Sequence, residues 1–424
     1  MSLTKTNTPL STGRTEQSSR CAAVRPTSEK TRTRALRFVL LIGCLSLFAD
    51  FTHEASRSII GPYLALLGAS AAAVSIVTGF GELLGYGLRL VSGRLSDRTG
   101  EFWPITISGY VIQMFSVPLL ALSGSWQGAA VLIVLERTGR AIRNPPRDAM
   151  LAHAATEMGG FGWAFGVREA LDQFGALLGP LLVAAVIGTR GEYRTAFAVL
   201  LIPCLLTLSI LTVARVSYPR PEDLDSTPPD LTSTGLPRVF WVYLLGAALV
   251  AAGFADFPLI AFHFQQAATV PTTGVPLFYA VAMGVSGLGS LLFGRLFDRF
   301  GISVLIPLTI MSALFAPLVF FGNTTVALVG MALWGLGMGV HESIIPAAVG
   351  LMVPPNRRAS AYGLFTAGYG VFWFLGSVAI GLLYNVSLTA LVTFSLIAEL
   401  AALPLFFVVR RSFPARSTPG RRGN

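Results

Sequence analysis

Gly93-Arg94-Leu95-Ser96-Asp97-Arg98-Thr99-Gly100 breaks a long apolar stretch with three charges and two glycines. It recurs as Gly294-Arg295-Leu296-Phe297-Asp298-Arg299-Phe300-Gly301. Two copies of Gly-Arg-Leu-x-Asp-Arg-x-Gly, each closing an apolar run and about half of the 424 residues apart, are poorly explained by chance. They mark a chain of two related halves. An apolar helix leaving lipid must end in residues that suit water, as Asp and Arg do. The glycines allow a tight turn at that point.

Composition places the motif in a membrane setting. Hydrophobic residues make up 53% and charged residues 12%, and the mean hydropathy is +0.66. A soluble domain carries about 25% charged residues. From Leu36 onward the apolar runs and their Gly, Pro and polar breakers give about twelve spans of bilayer-crossing length. These are 36–66, 71–93, 102–122, 127–149, 160–187, 194–214, 239–266, 274–296, 302–321, 325–350, 359–384 and 388–409. The expectation is an all-α polytopic membrane protein. A basic tail, 1–34, precedes a first six-helix bundle at 35–214. The linker 215–238 carries Pro219, Pro221, Pro228, Pro229 and Pro237. A second bundle, 239–410, and a basic tail, 411–424, follow.

A net charge of +10 could point to nucleic acid, but its distribution does not. Half of the excess lies in residues 1–34 and half in 410–424, and the remainder is neutral. Basic tails on a neutral apolar core fit cytoplasmic ends beside anionic lipid. Arg94, Arg98, Arg143, Arg147, Arg215, Arg220, Arg295, Arg299, Arg357 and Arg358 fall on one side, against Arg190 and Arg194 on the other. Both termini are therefore expected in the cytoplasm, with the chain in the plasma (inner) membrane. The first apolar segment is too long for a cleavable leader. Cys21, Cys44 and Cys204 show no paired spacing, and Cys44 and Cys204 read as core thiols.

The Gly-x-Leu-x-Asp-Arg-x-Gly pattern between the second and third spans resembles the signature loop of the major facilitator superfamily of transporters. The resemblance implies two pseudo-symmetric six-helix bundles. It also implies a cytoplasmic loop, Gly93, Asp97 and Arg98, that helps latch the inner gate, with Gly294, Asp298 and Arg299 as its second copy. Glu101-Phe102 stands where a basic pair often follows. Glu136-Arg137-Thr138-Gly139 resembles the family's fourth-span motif, which implies a link between Arg137 and proton transfer. Gly175-Ala176-Leu177-Leu178-Gly179-Pro180 resembles the Gly-x-x-x-Gly-Pro motif of its antiporters, with Val183 and Ala184 in place of the closing glycines.

Ionisable residues inside spans are costly unless paired or hydrated, so they are functional candidates. Asp50, Glu54 and Arg57 share one face of the first span, beside His53. Glu82 and Arg89 lie in the second. The fourth carries Glu136, Arg137, Arg140 and Arg143, where Glu136 and Arg140 are spaced to pair along the helix. The fifth carries Arg168, Glu169 and Asp172. The second half offers Asp256, His263, His341, Glu342 and Glu399. Protonation of Glu54, Glu82, Glu169 or Asp172 is expected to bias the two access states.

Enzyme readings find little support. His341-Glu342-Ser343-Ile344-Ile345 and His53-Glu54-Ala55-Ser56-Arg57 lack the closing histidine of a zinc helix. The chain has no Gly-x-x-x-x-Gly-Lys-Ser/Thr phosphate loop. The sequence reading is a transporter of a small solute that uses no cofactor beyond a proton gradient and acts by antiport export. Symport uptake, facilitated diffusion and a non-transporting sensor are the alternatives. A small-molecule substrate and the bilayer are the expected partners, with no nucleic acid, and the sequence leaves the oligomeric state open, a monomer included.

Overall fold

The computed structural model describes residues 2, 29–157, 161–219, 236–352 and 358–412. They form twelve helical rods, with no strand among the described residues. In the first half, α1 is Glu29–Leu66, α2 is Ala71–Thr99, and α3 is Phe102–Leu119 followed by a 3-10 turn, Leu120–Leu122. Next come α4 Trp126–Glu157, α5 Phe161–Arg190 and α6, which runs as Tyr193–Val199 and Leu201–Ser217. In the second half, α7 is split into Arg238–Gly253 and Phe257–Gln266, and α8 is Gly274–Phe300. The α9 rod contains Leu305–Ala313 and Phe315–Phe321. The α10 rod contains Thr324–Gly339, a π-helical Val340–Ile344 and Ile345–Met352. Then come α11 Arg358–Val386 and α12 Leu388–Ser412.

Eleven of these rods are long and apolar enough to cross a membrane. The other is α4, 32 residues long but interrupted by its own charges. Its outer neighbours hide them, because α4 packs along α2, α3 and α1. Leu122, Ile202, Leu288, Val329 and Val386 are more than half exposed, as side chains facing lipid would be.

Small residues set how closely the rods approach. A Cβ on Gly175 or Gly179 of α5 would collide with the Leu47 or Phe51 carbonyl of α1. The Gly-x-x-x-Gly pair therefore lets α1 and α5 pack backbone to backbone. Between the halves, α1 lies against α7, α2 against α11, and α5 against α8. A Cβ on Gly61 would strike the Pro258 carbonyl, and the Tyr193 hydroxyl donates to Gln265 Oε1 at 3.2 Å. The halves are thus closed at the end of the bundle opposite the duplicated motif.

The motif itself departs from expectation. The spans expected to finish at 93 and 296 run on as helix to Thr99 and Phe300. Gly100, at φ +70°, then closes α2, its N–H donating to Ser96 O at 2.9 Å. Gly301, at φ +60°, closes α8 with its N–H on Phe297 O. Both positions need the left-handed backbone that glycine supplies. The Asp97 and Asp298 side chains lie outside the described residues, as do most of the 1–34 and 411–424 tails and residues 220–235 of the linker. The first tail is shorter than expected, since α1 begins at Glu29. Arg143 and Arg147 also need correction: they are not loop charges but are buried within α4.

Candidate functional site

A cavity of about 410 Å³ lies between the halves, midway along the rods and toward the motif end. Asp50, Glu54, Arg57, Glu82, Arg89, Arg140, Arg168, Glu169, Asp172, His341 and Glu342 line it, so eleven of the ionisable in-span residues singled out in the sequence meet there. Glu136 and Arg137 do not line it; they are buried behind that wall. Gly93, Arg98, Gly294 and Arg299 sit within the last two turns of α2 and α8, away from it.

The wall is a chain of compensated charge running through α3, α4, α1 and α2. Gln113 Nε2 donates to Glu136 Oε1 at 2.9 Å, and the His53 ring meets the same oxygen through Nδ1 at 2.8 Å. Arg137 Nη1 meets His53 Nε2 at 2.9 Å and Glu82 Oε1 at 3.0 Å. Since arginine can only donate, Nε2 accepts and Nδ1–H donates to Glu136. His53 is therefore a neutral bridge between an acid and a base. It was noted in the sequence only as a neighbour of the acidic face.

The expected pairing of Glu136 with Arg140 is not formed. Glu136 takes His53, Gln113 and its neighbour Arg137, whereas Arg140 turns to Asp50 at 3.6 Å. Arg143 reaches Asp50 at 3.5 Å and also donates to Gln113 and Tyr110. A tertiary acid from α1 outcompetes the helix's own because it lies in the buried seam where Arg140 must find a counter-charge. On α5, Arg168 pairs with Asp172 and with Glu169 at 2.7 Å.

At the cavity, two side-chain hydrogen bonds cross between the halves among the described residues. Arg57 Nη2 donates to Asp256 Oδ1 at 2.7 Å. Asp256 sits in the break of α7, where it also accepts from the Phe257 N–H at 3.0 Å and caps the second segment. Asp-Phe-Pro is a helix-start signal, with an N-cap acid and an early proline. It could have located this break from sequence. The Tyr279 hydroxyl of α8 donates to Glu54 Oε2, and nothing in the sequence singled out this tyrosine.

The second half lines its side with Met283, Met338, His341, Glu342, Thr366 and Trp373, and a cluster of rings packs behind His341 and Trp373. His341 lies 4.5 Å from Phe254 and 5.5 Å from Trp373 between ring centroids, and its Nδ1 is hydrogen-bonded to the Tyr369 hydroxyl. His341 Nε2 is buried and has no partner among the described residues. His341 and Glu342 both fall in the π-helical turn, a distortion that re-aims side chains and recurs at functional sites.

The comparisons agree with this architecture. The family model of the Major Facilitator Superfamily matches residues 40–377. The uncharacterized protein Rv2265 of Mycobacterium tuberculosis is 40% identical over 399 residues, covering 92% of this chain and 96% of that protein. The uncharacterized MFS-type transporter MJ1317 of Methanocaldococcus jannaschii is 24% identical over 382 residues, covering 87% and 94%. Among solved structures, a bacterial homologue of the human lysosomal transporter Spinster, inward-facing and unoccupied, superposes with a TM-score of 0.69 at 16% identity. It covers 93% of this chain and 100% of that one. The duplicated motif, the twelve rods, the cavity between halves and these matches give one conclusion: this chain is a multi-pass membrane transporter of a small solute and belongs to the major facilitator superfamily.

Proposed function

We propose that the transporter exports its solute in exchange for protons by alternating access, with both termini in the cytoplasm of a cell bounded by its plasma membrane. The carrying observation is the cavity itself. It reaches toward the motif end, past Arg89, Asn144, Arg147 and Asp148, while the Gly61 end is packed shut. Rocking the two halves about the cavity would reverse that asymmetry.

Coupling needs a group whose charge decides which contacts can form. Glu82 and Glu54 meet that need. Each lines the cavity and each has a partner whose loss would be felt, Arg137 for Glu82 and Tyr279 across the halves for Glu54. A proton on Glu82 removes the charge facing Arg137, and a proton on Glu54 changes a contact that joins the halves. A contact made in only one access state shifts the population by its full free energy. Orientation rests on the Lys and Arg bias that remains after Arg143 and Arg147 are set aside. Export rests on the resemblance around Gly175 and Pro180. By the family resemblance, the signature residues Asp97 and Asp298 would stabilise the closed motif end as latches at helix starts.

The test is a flux assay in liposomes holding the purified full-length protein and an imposed pH gradient, run against a substrate panel from a transporter-deficient host. Antiport predicts that a solute entering such vesicles drives protons outward. Protons moving with the solute would replace this reading by symport, and solute flux without proton movement by facilitated diffusion. Cysteine labels placed at Thr99 and Thr272 check sidedness: reaction of the first from outside would reverse the orientation.

A further inference from the structure

A second cavity, of about 610 Å³, opens between α5 and α8. Its floor is made by absent side chains. A Cβ on Gly287 would be 3.5 Å from Gln173 Oε1, and one on Gly284 would be 3.9 Å from Leu177. At its mouth Phe174 is 54% and Leu288 73% exposed, on the belt that faces lipid. The fissure therefore opens sideways into the bilayer. At its inner end it shares Glu169, Gln173, Met283 and Glu342 with the central cavity, so the two spaces meet at one wall.

The charge at that wall is one-sided. Glu169 and Glu342 are the charged residues lining the fissure among the described residues. Glu169 is partly matched by Arg168 and Gln173. Glu342 has no hydrogen bond or ion pair among the described residues, although it stands in the cavity wall. The arginines around it already face other acids: Arg57 has Asp256, Arg147 has Asp148, Arg168 has Asp172, and Arg140 shares Asp50 with Arg143. Arg89 lies over the Tyr86 ring at 5.4 Å on α2, which does not border the fissure. The unmatched ionisable group where apolar slot meets polar cavity is therefore a carboxyl.

We propose that the fissure between α5 and α8 is a binding site and lateral portal for a lipophilic organic cation, its charge against Glu342 and its apolar body in the slot floored by Gly284 and Gly287. This deepens the transport reading and rests on it. An anion of the same shape would meet two carboxylates and no base. A small hydrated cation would leave the apolar slot unfilled, forfeiting the burial that such a pocket offers. A cation with apolar substituents uses both features and reaches the slot by partitioning into lipid first.

The test uses tetraphenylphosphonium and tetraphenylborate, nearly identical in shape and opposite in charge. Equilibrium binding is measured on the full-length protein in nanodiscs, with empty nanodiscs as background. The expected result is saturable binding of tetraphenylphosphonium and none of tetraphenylborate. Glu342→Gln and Gly287→Phe should each weaken binding at least tenfold, about 1.4 kcal/mol. Gly284→Phe replaces Gly287→Phe if the latter does not purify as a folded monodisperse species. Equal binding of the anion, absent binding of the cation, or loss in only one class of variant overturns the proposal. Transport failure is read separately: flux of some other solute without tetraphenylphosphonium binding sinks the portal alone. Binding with the expected variant losses but no flux of any solute sinks the transport mechanism and leaves the site.

Discussion

The two halves share a motif and a helix count, yet they bring different materials to the cavity. The first half supplies charge: Asp50, Glu54, Arg57, Glu82, Arg140 and Arg168, nearly all matched within a few ångströms. The second half supplies His341, Trp373, two methionines and few charges, backed by further rings, with Phe254 stacked on Trp334 at 5.5 Å and Tyr369 against Trp373 at 5.8 Å. Duplication conserves what packing demands, namely glycine closures and apolar rods. It leaves the inward-facing chemistry free to diverge. On the proposed reading the first half handles protons and the second holds the apolar part of the solute.

The largest expected effect comes from cutting the ion pair that joins the halves. Arg57 and Asp256 are both nearly fully buried, at 4% and 3% exposure. Breaking such a pair from one side leaves a buried charge without its partner and costs about 3–5 kcal/mol. Arg57→Ala and Asp256→Ala should each lower thermal stability in detergent strongly. The double variant should recover much of that loss, because it removes both charges. A double-mutant cycle with strictly additive losses would show that the pair does not join the halves energetically.

Next in size is coupling within the first half. Glu82→Gln removes the carboxylate facing Arg137 but leaves the His53 bridge in place. Gradient-driven transport should fall at least roughly tenfold, about 1.4 kcal/mol, while solute exchange at equal pH continues. The pair of assays separates a coupling acid from a structural one. Equal losses in both would assign Glu82 to the scaffold.

A smaller effect is expected from the second half. Trp373 lines the cavity and rests on Tyr369 and His341. Trp373→Ala should weaken solute binding by about 0.5–1.5 kcal/mol, the scale of one aromatic contact. The ratio of protons to solute should not change. A changed ratio would mean that coupling extends into the second half and that the division between halves is too simple.

Much of this fold was legible in the chain because membrane helices announce themselves by length and hydropathy. The repeated Gly-Arg-Leu-x-Asp-Arg-x-Gly revealed the duplication outright. The site was legible as a set of costly residues, and eleven of them do meet in one cavity. Their partners were not, for a physical reason. Helical spacing favours neighbours three or four residues away, which gave Glu136 with Arg140. The fold instead offers Arg140 an acid on α1 and offers Arg57 one that is 199 residues distant. In a low-dielectric seam, whichever counter-charge can be reached wins over the nearest in sequence. The π-helical turn at His341 and Glu342 left no such trace, since a single extra residue in a turn barely alters apolar periodicity.

The smallest expected effect lies at Glu399, and it gives the sharpest contrast between halves. Glu399 of α12 and Glu136 of α4 are both buried glutamates, at 0% and 5% exposure. Glu136 accepts from Gln113 and His53. Neither Glu399 oxygen makes a well-formed hydrogen bond among the described residues, and the Ser312 hydroxyl is close enough to give it only a weak one. The same substitution should therefore act differently at the two sites. Glu136→Met strands two buried donors, at about 1–3 kcal/mol each. Glu399→Met takes away at most the weak Ser312 contact and replaces a polar group by an apolar one of similar length, a change that can be neutral or stabilising. Thermal unfolding of the two variants in one detergent should show a marked loss for Glu136→Met and no loss, or a gain, for Glu399→Met. Transport should follow stability in the second case. A large loss at Glu399 would reveal a partner made in the other access state, and would bring the second half into the charge chemistry assigned here to the first.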